Sequence, residues 1–198
     1  MSVKGTDVKT KNMKKTLILL FALFCLSSVN LFAGKPLSVK SGEISVLKKT
    51  SIALLEIDYS STKVGTLTLD EYLKKRGDDF VRDWPQDKAK AALYFKERFN
   101  SKNKGMQVTT ESTDVTYKIV IHVNSLDMGN GAGTFLPFSS AKAGGVIMTG
   151  TIGIIDMKTN EVVCLLSVNE VKGLGHPSET IRLGLMYFEL ATTICKLK

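Results

Sequence analysis

The stretch "VTYKIVIHVNSLDMG" constrains this chain more than any other. Tyr117, Ile119, Ile121 and Val123 alternate with Lys118, Val120, His122 and Asn124. Successive side chains of a strand point to opposite faces, so the first set belongs on a core. A second β-rich run follows, "GGVIMTGTIGIIDMKTNEVVCLLSVNEVKG", which reads as a long hairpin joined through "DMKTNE". Asn160 suits the left-handed backbone that a short hairpin loop needs.

What precedes this block is helical. Thr68 and Glu71 stand three apart as a capping box, in which each satisfies an orphan amide of the other. Leu67 and Tyr72 occupy the positions of the accompanying hydrophobic staple. Leu69, Leu73, Phe80 and Trp84 then share a helical face, although Gly77 weakens the middle by about 1 kcal/mol relative to alanine. Pro85 is expected to break or kink the helix, because proline removes an amide donor and disfavours helix at the residue before it. A second helical run from about Gln86 carries Ala92, Phe95 and Phe99 on one face and stops in "NSKNKG".

Earlier still, Ile52 and Leu54, with Leu55, Ile57 and Tyr59, fit a strand covered to some extent on both faces. Residues 34–42 are polar and read as an irregular lead-in. At the other end, Pro177 or Ser178 opens a terminal helix with Ile181, Leu185, Phe188 and Cys195 on one stripe and Met186, Leu190 and Ile194 beside it. Helices grouped apart from a block of strands indicate an α+β domain of two layers. The expected architecture is a mostly antiparallel sheet of four or five strands against a long, kinked helical segment and a C-terminal helix.

Lys14 and Lys15 precede an uninterrupted apolar run, Leu17 to Leu26, and a small residue, Ala33, follows. That is the pattern of a cleaved signal peptide, and the run is about half of what a bilayer-spanning helix needs. Residues 1–33 are therefore read as an N-terminal extension and leader, with Met1 or Met13 as the start. Residues 34–198 are read as one exported domain, soluble after cleavage, in the periplasm or at the outer-membrane periphery. Phe24 before Cys25 does not fit lipid attachment, which needs a small residue there. Without the leader the net charge falls from +8 to +4 with mixed signs, which makes no case for nucleic acid. Cys164 and Cys195 remain, and an oxidising compartment permits a disulfide between them. Two buried, unpaired thiols fit the same sequence.

The strand ending in "EIDYS", the long helix, "TYKIVIHVNSLDMG", the hairpin "GTIGIIDMKTNEVVCLLS" and the closing helix resemble a group of uncharacterised exported proteins of Gram-negative anaerobes. Their order is similar to that of the periplasmic domain of the curli-secretion channel protein and the N-terminal domain of the TolB translocation protein. The resemblance spans nearly all of the exported chain and implies assembly or scaffolding in the cell envelope. It transfers no catalytic residues. Cys25 does not match the channel protein's lipid anchor.

Catalytic signals are sparse. His122 shares its side of a strand with Lys118 and Asn124, which suits a surface position. His176 in "GLGHPSE" precedes a helix start beside Ser178 and Glu179, and helix-entry chemistry accounts for all three. His122, His176, Cys164 and Cys195 lack the close pairing of a zinc site. The adjacent carboxylates Asp70–Glu71 and Asp78–Asp79 point apart on a helix. "GNGAGTFLPFSSAKAGG", residues 129–145, suggests a phosphate cradle, but a strand rather than a helix follows, and no lysine followed by serine or threonine is placed.

The chain is accordingly expected to be non-enzymatic, without cofactor or metal, and to act on an unknown protein partner in the envelope. Phe135, Leu136 and Phe138 are the candidate contacts, to that partner or peripherally to a membrane, unless they fold back onto the domain. The alternative is a periplasmic small-molecule binder or hydrolase that uses the region of His122 and His176.

Overall fold

A computed structural model of the chain describes residues 35–112, 114–129 and 144–197. Strand β1 (Leu37–Gly42) leads through a 3-10 turn (Ile44–Lys48) to β2 (Ser51–Asp58). A short hairpin, β3 (Lys63–Val64) and β4 (Leu67–Thr68), precedes helices α1 (Leu69–Arg76) and α2 (Asp78–Lys102). Then come β5 (Met106–Thr109), β6 (Tyr117–Asp127), β7 (Ile147–Asp156), β8 (Glu161–Lys172) and α3 (Glu179–Cys195).

The result is a two-layer α+β arrangement, with one sheet in the order β1-β8-β7-β6-β2-β5 and β3–β4 attached to β6. The sheet differs from expectation in being larger and mixed. Strand β2 is parallel to both β5 and β6, whereas β6, β7, β8 and β1 pair antiparallel. The reason is the connection: a long helical crossover returns the chain to the same end of the sheet, so the next strand runs parallel. The polar lead-in is also a strand. As an edge strand β1 need bury little, and only Leu37 of its residues is fully covered.

The capping box forms: Thr68 Oγ1 accepts from the Glu71 amide at 3.3 Å, and the Glu71 carboxylate accepts from the Thr68 amide at 2.8 Å. The helical break falls at Gly77 (φ +120°), eight residues before Pro85, which lies inside α2. Pro85 is exposed, and so is Val81, whose carbonyl loses its intrahelical donor and can take water instead. Ala91, Phe95 and Phe99 form the buried face of α2, with the two phenyl rings stacked 5.7 Å apart.

Helix α3 packs on two sides. Leu183, Met186, Tyr187, Leu190, Ala191 and Ile194 are buried in the core with Ala53, Leu55, Ile119, Ile121 and Val123 of the sheet. A second stripe faces α2: a Cβ on Gly184 would meet the Tyr94 ring at 2.7 Å, the Arg98 guanidinium lies 4.2 Å from the Phe188 ring centre, and Arg98 donates to Thr192. Tyr187 ties this helix to the end of β2 by donating its hydroxyl to that of Tyr59 at 2.6 Å, and Trp84 packs edge-on against Tyr59.

The two edges of the sheet are finished differently. On β5 the side chain of Asn100 accepts from the Val108 amide at 2.7 Å and donates to the Val108 carbonyl at 2.9 Å, in the place of a neighbouring strand. Strand β1 carries a bulge between Val39 and Ser41, with Lys40 as the extra residue.

Candidate interaction surface

All three helices lie on one face of the sheet, and among the described residues no helix or strand covers the other. The residues on that face follow from alternation. In β2 they are Ile52, Leu54, Glu56 and Asp58, and in β6 Lys118, Val120 and His122. In β7 they are Thr149, Thr151, Gly153 and Ile155, and in β8 Val162, Leu165 and Ser167. Register places Glu56, Val120, Gly153 and Leu165 in one row across the sheet, and Asp58, His122, Thr151 and Ser167 in the next.

Several polar side chains of this face are paired with one another. Lys118 Nζ lies 3.0 Å from the Glu56 carboxylate, and Ser125 and Thr149 share a hydroxyl hydrogen bond of 2.7 Å. His122 Nδ1 lies 2.9 Å from the Asp58 carboxylate. Asp58 also accepts from the Ser60 amide at 2.9 Å; the hydrogen bonds from Ser60, and then that from His122, hold its carboxyl down at about 2. Apolar side chains stand among these pairs: Leu54 and Ile155 flank Lys118 in one row, and Val120 stands beside Glu56 in the next. Leu54, Val120, Ile155, Leu165 and Val162 lie on this face with Ile52 and Met157, which reach each other through hydrogen bonds to Thr116. None of these seven belongs to the core between sheet and helices. Ile52, Met157 and Val162 are 44%, 43% and 55% exposed.

Gly153 gives the face its shape. It pairs with Val120 on one side and Leu165 on the other, and a Cβ built there would meet nothing within 4 Å. The strand thus carries a notch, with Ile155 standing two residues further along the same face.

The sites expected from sequence are distributed differently. Phe135, Leu136 and Phe138 lie outside the described residues. The roots of their segment are described, and they explain Gly129 and Gly145. Gly129 has φ +61°, and a Cβ on it would lie 2.7 Å from the Gly144 carbonyl. A Cβ on Gly145 would collide with the Gly173 carbonyl, and one on Gly173 would lie 2.6 Å from the Met186 amide nitrogen in α3. These glycines form a close-packed neck against the terminal helix, which accounts for them without a phosphate.

Arg182 reinforces that neck. Its side chain is 3% exposed, and it donates to the carbonyls of Met128 (3.2 Å), His176 (2.8 Å) and Pro177 (2.9 Å). Glu179 lies 3.7 Å from it and pairs more closely with Arg76, at 3.0 Å, while Tyr72 donates to the same carboxylate.

The two histidines do not share a site. His122 is on the helix-free face, whereas His176 accepts from the Ser178 amide at 3.1 Å in the turn that enters α3. Ser178 caps that helix, as the helix-entry reading requires. Cys164 and Cys195 are both free thiols. Cys164 is buried in β8, and the Cys195 sulfur faces α2, 4.0 Å from the Phe99 carbonyl. Burial pushes both thiols up, that of Cys195 to about 11. Among the described residues no three His, Cys, Asp or Glu side chains are grouped as metal ligands would be. Nor is any helix among them long and apolar enough to cross a membrane.

No protein-family model matches the chain, and no curated protein matches it. Among solved structures, it is similar to a PelC dodecamer from Paraburkholderia phytofirmans, at 11% identity and a TM-score of 0.41, over 78% of this chain and 96% of that one. A point variant of the same PelC aligns at 10% identity and a TM-score of 0.38, over 79% and 97%.

Proposed function

We propose that this chain is a non-enzymatic, exported interaction or assembly protein of the cell envelope, docking a protein partner on the helix-free face of its sheet. The observation that carries this reading is the set of large apolar side chains on that face, standing among polar groups that are already paired with one another. Apolar side chains interspersed with satisfied polar groups are what protein interfaces are made of. The leader pattern of residues 1–33 and the resemblance to exported envelope proteins support the location. Fractionation of the envelope, followed by cross-linking and identification of bound proteins, tests the reading. Cross-links that are lost in Ile155→Arg support it; a wild-type protein that is wholly soluble and cross-links to nothing sinks it.

A second reading draws on one observation. Asp58 orients His122, and Thr151 and Ser167 stand next in the same row, which is the order of a carboxylate, a base and hydroxyls. No hydrogen bond joins His122 to either hydroxyl. A small-molecule binder or hydrolase using His122 or His176 would lose its phenotype when both become alanine.

A further inference from the structure

We propose that the partner of this face is a second copy of the chain. The two sheets pack face to face about a two-fold axis that crosses β7 at Ile154. The inference rests on the reading of the face as a docking surface and adds who docks there.

The argument begins with the notch. Gly153 opens a gap between Val120 and Leu165, and Ile155 rises two residues away on the same strand and face. A two-fold axis lying between the sheets, perpendicular to β7 at Ile154, turns the strand over onto its own copy. Residue 153 of one molecule then faces residue 155 of the other, and the reverse holds equally. A hole and a knob at this spacing are self-complementary, which is the requirement of an isologous interface. Sheets that stack in this way lie about 10 Å apart with their inner side chains interdigitated, so a knob needs such a gap to enter.

Charge and size agree. Glu56 with Lys118, and Asp58 with His122, are paired within one molecule, so the face calls for no strongly charged partner. The two-fold stacks the row of Glu56 and Val120 on the copy's row of Leu54 and Lys118, so each Lys118–Glu56 pair enters the interface already neutralised within its own molecule. Six strands about 4.8 Å apart, of four to twelve residues at about 3.3 Å each, offer on the order of 700 Å² per molecule. A standard interface buries about 800 Å² per partner, so this face is of the right size for a dimer.

The test is sedimentation equilibrium of the purified chain over roughly a hundredfold range of concentration. It is run on the wild type, Ile155→Arg and Gly153→Val. The valine Cβ enters open space and replaces a glycine in a strand interior, so the monomer should be at least as stable as wild type. Dimerisation should nevertheless weaken about a hundredfold or more in both variants, as expected for a filled notch or a charged knob at an interface centre. Thermal unfolding of the dilute variants separates lost docking from lost folding.

A wild type that is monomeric throughout overturns the inference, as does a dimer indifferent to both substitutions. If a monomeric wild type still cross-links to another envelope protein, and Ile155→Arg abolishes this, a different partner holds the face. The docking reading then survives without the second copy. Vesicle binding abolished by Ile155→Arg, with the protein monomeric, would assign the face to lipid and overturn both. A monomer whose cross-links ignore Ile155→Arg likewise removes both.

Discussion

Replacing Arg182 by methionine removes one guanidinium that three backbone carbonyls share. The three are not equal in consequence. Pro177 is exposed and His176 half-buried, so their carbonyls can turn to water at a cost of about 1 kcal/mol between them. Met128 is buried, and its carbonyl, bonded to Arg182 Nε at 3.2 Å, would be left without a donor. A stranded buried carbonyl costs about 1–3 kcal/mol. Relief of the buried charge offsets part of this, while Glu179 loses one of its two arginines. The net expectation is about 3 kcal/mol, a large share of the stability of a domain of this size. In thermal unfolding that corresponds to about 10 °C. Glu179→Gln should cost less, about 1 kcal/mol, because its contact with Arg182 is long. Urea denaturation followed by circular dichroism gives both numbers. A loss below about 1 kcal/mol for Arg182→Met would refute the reasoning, since it would mean the Met128 carbonyl finds another donor.

Two further outcomes are expected. Asn100→Ala should cost about 1–2 kcal/mol by leaving the Val108 amide and carbonyl unpaired, and should bring concentration-dependent aggregation visible by light scattering, because it opens the β5 edge. Asp58 has a folded pKa of about 2, below the ordinary 3.8, so its contribution is present above about pH 4 and fades as pH falls towards about 2. Urea midpoints taken across that range should fall in the wild type by more than in Asp58→Asn; equal slopes would remove the Ser60 and His122 hydrogen bonds as the cause.

Much of the fold was legible because it rests on local chemistry. The alternation from Tyr117 to Val123, the Thr68–Glu71 cap and the left-handed Asn160 (φ +59°) all appear where their residue types require them. What escaped depends on contacts distant in sequence. Pro85 reads as a breaker until its side of α2 is known to be exposed. The polar strand β1 is invisible as a strand because an edge needs only Leu37 buried. Arg182 looks like any helical arginine, and the glycines at 129, 145 and 173 acquire a reason only when three separate segments meet.

The helix-free face was legible only in part. Leu54, Ile155 and Leu165 alternate with core-facing residues, and nothing in the sequence reveals that helices cover one side alone. A signal was present in "GTIGIID", where a glycine interrupts an otherwise apolar row two residues before an isoleucine. It becomes a notch and a knob only once Val120 and Leu165 are known to flank it.

The finishing of the sheet's edges has an evolutionary consequence. Backbone ladders are chemically alike in every protein, so a molecule that associates through a bare strand recognises strangers as readily as kin. Here Asn100 occupies one border, and Lys40 with its bulge blunts the other. Any partner of such a sheet would have to be recognised through side chains, where one substitution can create or abolish an allegiance. Selection could then adjust that choice without reopening the question of how the chain folds.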